Sequence, residues 1–183
     1  MITDRTSWAV KGADIVSELM TLINVTDEEK DLLKALQATA REQSPGLLDA
    51  FYGRLLSHGN TAEYLRNVPL EHLHATLTNW FLDIFSGDYN EQYAQKRLKI
   101  GQVHVHIGLP VRYPLAMIDV IMQYGEQVTK ASSNPALAFV AFKKVLSLDI
   151  AIFNQAYEDN QLKYLAEMVG GERLARLLLS GNG

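Results

Sequence analysis

The sequence contains no cysteine among its 183 residues. Disulfide bridges, zinc–thiolate centres, iron–sulfur clusters and thiolate ligation of haem are therefore excluded. Any bound metal has to be held by histidine, carboxylate or tyrosine side chains. Histidine is scarce as well, with five in the chain, so each one can be considered individually as a ligand.

Long apolar runs are also missing. No stretch reaches the roughly 18 residues of a membrane span, and the amino terminus lacks the pattern of a signal peptide. We therefore expect a cytoplasmic protein. The net charge of −4 gives no indication of a nucleic-acid partner, and a content of 48% hydrophobic and 21% charged residues is ordinary for a globular domain.

Segments of strict polar–apolar alternation are absent, and apolar residues recur at helical spacing along the whole chain. This periodicity predicts an all-α fold. Thr26 and Glu29 form a capping box, and Ser44-Pro45 has the composition of a helix start. We predict helices over about 6–22, 27–42, 45–58, 69–85, 90–107, 113–131 and 135–169.

A short amphipathic segment, 172–180, follows the glycine pair at 170–171. Its leucines Leu174, Leu177 and Leu178 have no evident partner in the sequence. The segment is therefore either a frayed tail or the beginning of a connection to something else.

Two histidine pairs, His72/His74 and His104/His106, have a spacing of two residues. On a helix, residues two apart point roughly 200° away from each other, so neither pair can chelate one ion. Glu71 and His74 match the Glu-x-x-His pattern of di-iron bundles, but a second copy of that pattern is missing. A di-iron site is therefore not expected.

His104 is the candidate ligand for the iron of a haem. On a helix it shares a stripe with Ile100, Gly101, Ile107 and Gly108, which is apolar and lacks bulk beside the imidazole. A flat apolar cofactor could lie against that stripe. Taken alone, however, a histidine on an apolar helix face is more often an ordinary core residue, so this pattern needs support from elsewhere in the chain.

A second wall for such a pocket is available on the predicted helices 45–58 and 69–85. Tyr52 lies within an apolar stripe of the first, and its hydroxyl needs a hydrogen-bond partner. That partner is either a ligand on the iron or a backbone carbonyl, and periodicity alone leaves both open.

Three segments together resemble the globin-coupled sensors and their relatives, the protoglobins. The string from Lys99 to Leu109, Lys-Ile-Gly-Gln-Val-His-Val-His-Ile-Gly-Leu, is similar to the proximal-helix signature of that family. Asp49-Ala-Phe-Tyr52 is similar to its distal tyrosine segment. Leu73-x-x-Thr-Leu77, followed by Phe85-Ser-Gly87, is similar to its distal helix and the end of that helix. The matches occur in the family's order over about 45–114.

Two positions depart from the family pattern. His106 stands where arginine or lysine is common, which puts a charge role there in doubt. Tyr113-Pro114 stands where a tryptophan–tyrosine pair is common, so packing at the haem edge is expected to differ.

The resemblance implies a globin-like fold with an extra N-terminal helix and with haem b (iron protoporphyrin IX) held between proximal and distal helices. It implies that His104 is the proximal iron ligand, that Tyr52 donates a hydrogen bond to bound O2, and that Thr76 is a second donor or holds a water. Lys96, Arg97 and Lys99 are candidates for pairing with the haem propionates. The residues expected to line the haem are Phe51, Tyr52, Leu73, Thr76, Leu77, Trp80, Ile100, His104, Ile107, Met117 and Ile121.

The function implied is that of a haem-based oxygen sensor that also binds CO and NO and is not itself an enzyme. In the family, the last two long helices form a homodimer interface that passes the ligand state to an output domain, such as a diguanylate cyclase or a histidine kinase. Residues 1–170 would then be the sensor domain, and 171–183 the start of a linker to the output module. Two alternatives stay open: a protoglobin-like O2 or NO carrier or nitric oxide dioxygenase, and a helical dimerisation module without a cofactor.

Overall fold

The computed structural model describes residues 5–10 and 13–181. Within these ranges the secondary structure is helical and contains no strand, so the all-α prediction is confirmed. None of these helices combines the length and the apolarity needed to cross a bilayer. After a 3-10 turn, Thr6–Ala9, the helices are α1 (Ala13–Ile23), α2 (Asp27–Ala35), α3 (Gln37–Leu56), α4 (Gly59–Ala62), α5 (Leu70–Ile84), α6 (Glu91–His106), α7 (Arg112–Ala116), α8 (Ile118–Thr129), α9 (Pro135–Val169) and α10 (Glu172–Leu179).

Several helix ends follow from their capping residues. The Thr26 hydroxyl accepts the amide of Glu29 while the Glu29 carboxylate accepts the amide of Thr26, which is the predicted capping box. Asn134 caps α9 through the amide of Leu137, and Gly170 ends that helix in the left-handed conformation at φ 83°. The bounds predicted for α5, α6 and α9 are confirmed to within about two residues, which is the usual scatter at helix ends.

The prediction that Ser44-Pro45 starts a helix is wrong. Both residues lie inside α3, and the break falls earlier, at Leu36. The Ser44 hydroxyl donates to the carbonyl of Ala40, so it does not cap an amide. Pro45 is exposed, and water can satisfy the carbonyl of Arg41 that the proline ring leaves without an amide partner.

Two other predicted helices are each divided in two. The segment predicted over 6–22 is a 3-10 turn followed by α1, and residues 11 and 12 lie outside the described residues. The segment predicted over 113–131 is α7 followed by α8, with a break at Met117. The side chain of Met117 is buried in the core although the helix is interrupted at this residue.

The 35-residue helix α9 is the centre of the fold, because α1, α2, α5, α6, α8 and α10 all pack on it. On the other side of the molecule α3 packs on α5 and α8. The rings of Phe81, Phe85 and Phe142 are fully buried where α5 and α9 meet, and the last two stack with centroids 5.7 Å apart. Burying each of these large side chains contributes about 1.5–3 kcal/mol to folding.

The last helix, α10, folds back on α9 across Gly170 and Gly171. Ala175 is fully buried in this contact, and the Arg176 guanidinium lies 5.7 Å from the centroid of the Trp8 ring. The segment for which the sequence offers no partner therefore packs against α9, while Leu178 stays 43% exposed on its outer face.

We expect Gly125→Ala to destabilise the fold by about 1–3 kcal/mol, the usual cost of forcing extra atoms into a packed core. A Cβ at this position in α8 would overlap the ring of Phe142, which is fully buried and cannot turn aside. Gly53→Ala in α3 is the matched control, because nothing lies within 4 Å of its added Cβ. That control should gain up to about 1 kcal/mol from helix propensity. Urea unfolding of both variants checks this, and equal stabilities would contradict the close approach of α8 to α9.

Candidate functional site

His104 lies in the last turn of α6, on a helix whose two ends are both closed by specific contacts. The Asn90 side chain accepts the amide of Tyr93 at 3.1 Å and so caps the first turn. At the other end Gly108 takes φ 70°, and the amide of Leu109 donates to the carbonyl of His104 at 2.9 Å. Gly108 therefore ends the helix as predicted, and the backbone that carries His104 is fixed.

The imidazole of His104 has a defined orientation and proton position. Nδ1 lies 2.7 Å from the carbonyl oxygen of Ile100. Because a carbonyl only accepts, Nδ1 carries the proton and Nε2 keeps its lone pair. Burial lowers the pKa of His104 below its usual range, although the bond to Ile100 opposes that shift. The ring is thus neutral near pH 7 and presents the nitrogen that binds a transition metal.

An apolar and exposed surface adjoins this histidine. Ile100, Val103 and Ile107 share the side of α6 that points away from α9, and Val103 and Ile107 are 49% and 47% exposed. Among the described residues α6 packs chiefly on α9 and α5 chiefly on α3, while α5 and α6 meet through the contacts of Lys96 and Arg97 with Asp83 and Trp80. A flat apolar group that lies on Val103 and Ile107 would therefore cover surface that is otherwise exposed to water.

These observations fit haem. Iron porphyrin requires one axial donor, and a neutral imidazole held through its other nitrogen is a suitable one. It also requires apolar walls, which Ile100, Val103 and Ile107 supply on the side of the donor. In the described ranges no cluster of three or more histidine and acidic side chains could hold a bare metal ion instead.

Tyr52 on α3 is buried, with 7% of its surface exposed, and its hydroxyl donates to the carbonyl oxygen of Leu73 at 2.9 Å. Of the two partners that the sequence left open, the backbone carbonyl is the one found here. The centroid of the Tyr52 ring lies 5.4 Å from that of the Phe51 ring and 5.1 Å from that of the His74 ring. Burial raises the pKa of Tyr52 to about 12, so the phenol keeps its proton at any physiological pH.

The other predicted lining residues take different positions. Thr76 is exposed, and its hydroxyl donates to the carbonyl of His72 at 2.8 Å, which uses its single proton. Leu73 and Trp80 are half-buried on α5 and Leu77 is buried beside them, whereas Met117 and Ile121 are buried in the core. Within the described ranges no hydrogen bond or ring contact joins Tyr52 to His104. The first contacts α5 and the second contacts α9.

The assignment of Arg97 to the propionates is wrong. Its side chain is 2% exposed and is held by Asp149 at 3.0 Å, by Asp83 at 3.1 Å and by the carbonyl of Trp80 at 2.9 Å. The physical reason is its helical position, seven residues before His104, which turns it toward α9 and away from solvent. Lys96 forms an exposed ion pair with Asp83 at 3.3 Å, so its amine stays in contact with water.

Gly101 also has a different role from the one expected. A Cβ there would lie 2.7 Å from the Cβ of Ala156 and 2.9 Å from the carbonyl oxygen of Phe153. Its missing side chain therefore makes room for α9 and not for a cofactor. The exposed apolar surface near His104 is formed by Val103 and Ile107.

Two residues of the site were missed in the sequence. Val103 belongs to the exposed apolar face, and its spacing of three and four residues from Ile100 and Ile107 was a signal that could have found it. The ring of Phe153 meets the imidazole of His104 edge to face, with centroids 5.3 Å apart and planes at 75°. This contact joins residues 49 positions apart on different helices, so no local sequence pattern predicts it.

The chain is similar to known proteins in sequence and in fold. A family model described as Protoglobin matches residues 13–163. The heme-based aerotactic transducer HemAT of Halobacterium salinarum is 24% identical over 165 residues, covering 82% of this chain and 34% of that protein. The chain thus spans about a third of the length of this relative.

Solved structures agree with the predicted globin-like fold and confirm it. The globin domain of the Geobacter sulfurreducens globin-coupled sensor is 29% identical, with a TM-score of 0.71, covering 77% of this chain and 96% of that domain. The ferric globin domain of E. coli DosC is 16% identical, with a TM-score of 0.63, covering 79% of this chain and 100% of that one, and shows likeness of fold alone.

The raised pKa of Tyr52 predicts how the apoprotein behaves in alkali. A tyrosine whose folded pKa lies above the unfolded value of about 10 contributes stability that is complete below pH 10 and is lost as the pH rises through 12. The near-ultraviolet tyrosinate titration should therefore show a late step that Tyr52→Phe reduces by one residue. If that variant leaves the late step unchanged, the buried position of this phenol is contradicted.

Proposed function

Because the chain belongs to the protoglobin family, we propose that it is a haem-based gas-sensor domain in which His104 binds the iron. The observation that carries the proposal is the bond from Nδ1–H of His104 to the carbonyl of Ile100, which leaves Nε2 unprotonated on a helix that also carries the exposed apolar side chains Val103 and Ile107. Such a bond sets the tautomer and the orientation of a ligating histidine and raises its basicity.

Haem b, when bound, supplies an iron that takes up O2, CO or NO reversibly. The chain's own contribution begins with His104, which would hold the iron through Nε2. Ile100, Val103 and Ile107 would lie against the porphyrin on the side of His104 and exclude water from it. Phe51, Leu77, Trp80, Met117 and Ile121 complete the proposed lining, and Leu77, Met117 and Ile121 are buried here.

Tyr52 is proposed to donate a hydrogen bond to the gas ligand, and the structure supports a specific way for it to do so. Its hydroxyl has one proton, which the carbonyl of Leu73 now accepts. A helical carbonyl also accepts from the amide four residues later, so Leu73 keeps that partner when the phenol leaves. Giving up the present bond costs about 0.5–1.5 kcal/mol, and a bond to a ligand with partial negative charge returns about 1.5–3 kcal/mol.

This exchange favours polar ligands. With haem present, O2 would accept a hydrogen bond from Tyr52 more strongly than the less polar CO, so it would compensate the loss of the Leu73 bond better. Leu73 itself shields the same side from solvent. Thr76 is proposed to hold a water or to act as a second donor, which requires its proton to leave the carbonyl of His72.

A sensing role is proposed in preference to storage because the curated relative is described as an aerotactic transducer. The remaining two thirds of that relative lie outside the match, so the output would be a separate domain, such as a diguanylate cyclase or a histidine kinase. We propose that residues 1–170 form the sensor and that 171–183 begin the linker.

A homodimer through α8 and α9 would pass on the signal. Val140, Tyr164 and Met168 of α9, at 40%, 58% and 82% exposure, are apolar positions available to a second copy.

His104→Ala should abolish tight haem binding, while His106→Ala, the exposed neighbour two residues away, should retain it. The reason is that only His104 combines a fixed orientation with an apolar surround. Titration of the purified apoprotein with haemin, followed by the Soret band, measures both. Loss of the band in the His106 variant alone would mean that the wrong histidine has been assigned.

Tyr52→Phe should speed the escape of O2 by about tenfold, with a smaller effect on CO, because the lost bond is one to a charged acceptor. Tyr89→Phe is the matched control, since it removes a buried phenol that also donates to a backbone carbonyl, that of Ile84 at 2.6 Å. Flash photolysis or stopped-flow mixing gives both rates. Equal effects of the two variants, or equal effects on the two gases, would rule out a direct bond from Tyr52.

A further inference from the structure

A single line of contacts joins α6 to α9, and we call it the α6–α9 seam. On α6 it consists of Arg97, Gly101 and His104, and on α9 of Asp149 and Phe153. The α6 residues are four and three positions apart and the α9 residues are four apart, and such positions lie on one face of a helix. The candidate iron ligand is therefore part of the interface between two packed helices.

The seam is fixed at the end that lies before His104. The Arg97 guanidinium binds the Asp149 carboxylate at 3.0 Å, and both side chains are almost completely buried, at 2% and 3% exposure. At Gly101 the two backbones come so close that a Cβ would lie 2.9 Å from the carbonyl oxygen of Phe153. Neither contact allows α6 to slide along α9 without breaking a buried ion pair or creating a clash.

The seam is also fixed beyond His104. The Tyr157 hydroxyl donates to the carbonyl of Leu109 at 2.9 Å, just past the end of α6. The rings of Tyr157 and Phe153 are in contact, with centroids 5.3 Å apart. Phe153 is therefore supported by its own helix and by a neighbour that is tied to the chain following His104.

With the backbone of α6 fixed, the plane of the His104 imidazole depends chiefly on rotation about its Cβ–Cγ bond. The hydrogen bond from Nδ1 to Ile100 restricts this rotation from one side, yet one bond of 2.7 Å still permits the ring to swing about it. The Phe153 ring restricts it further, in the edge-to-face arrangement that aromatic pairs favour. Together the two contacts define the plane of the imidazole.

We propose that Phe153 is a positioning residue for His104, which sets the plane in which the imidazole presents Nε2 to the iron. The inference rests on the proposed function, because it assumes that His104 is the ligand. Phe153 does not touch the porphyrin in this account and acts through the histidine alone. It also makes α9 the helix that would register a displacement of the ligated imidazole first.

The test compares Phe153→Leu with Phe139→Leu in the haem-reconstituted protein. Phe139 is a matched control because it lies on the same helix, is half-buried and contacts another ring, that of Phe142 at 6.4 Å, yet is absent from the seam. The principal measurement is the iron–histidine stretching band of the ferrous protein by resonance Raman spectroscopy. A general loss of stability does not by itself move that band.

We expect Phe153→Leu to shift or broaden the band and to weaken haem binding about two- to tenfold, which is the scale of one lost aromatic pair. Phe139→Leu should leave the band at its wild-type position, and Phe153→Tyr, which keeps the ring, should restore it. In the apoprotein, the ring-current shift of the His104 imidazole protons should disappear in Phe153→Leu and persist in Phe139→Leu.

An unchanged band in a folded Phe153→Leu protein would overturn the inference, and so would an equal shift in the Phe139 control. If Phe153→Leu does not fold, Gly101→Ala displaces α9 from His104 by adding one methyl group, and its band decides in the same way. The proposed function fails separately, when the wild-type protein itself shows no iron–histidine band or when His104→Ala retains that band.

Discussion

The close approach of α6 to α9 at Gly101 is the constraint on which the rest of the site depends. Because no side chain stands between the two backbones there, α6 lies deep enough for Arg97 to reach Asp149 and for His104 to meet the Phe153 ring. Since α9 is also the helix on which most of the fold packs, the candidate ligand is tied directly to the core. A wider spacing would leave the imidazole on a surface helix with one hydrogen bond to orient it.

The two sides of the candidate pocket differ in the contacts that hold their principal side chains, and the difference suits a sensor. On the proximal side His104 is held by the hydrogen bond to Ile100 and by the ring of Phe153, and its helix is fixed on α9 by the ion pair of Arg97 with Asp149. On the distal side Tyr52 is held by one neutral hydrogen bond to Leu73, which can be exchanged at a cost of about 1 kcal/mol. A gas ligand would thus change the partner of a buried phenol while the iron ligand stays in register with α9. A sensor needs such a difference between its two states, because an effector shifts an equilibrium only through contacts that differ between them.

The sequence was sufficient for features that local rules govern. The all-α class, the capping box at Thr26 and the end of α6 at Gly108 all follow from short-range patterns, and the structure agrees with them. Pro45 was misread, because tertiary packing carries α3 through a residue that local rules place at a helix start. Arg97 and Gly101 were misread for a different reason. Periodicity gives the face of a helix on which a residue lies, but it does not say whether that face meets a cofactor, solvent or another helix. The contact of Phe153 with His104 could not be predicted either, because the two residues are 49 positions apart in the sequence.

The most direct test is a crystal structure of the protein reconstituted with haem. The account predicts that Nε2 of His104 is the axial ligand, that its Nδ1 still donates to the carbonyl of Ile100, and that Val103 and Ile107 are covered by the porphyrin. A haem bound through His106 or His74, or a porphyrin located away from the exposed face of α6, would contradict it.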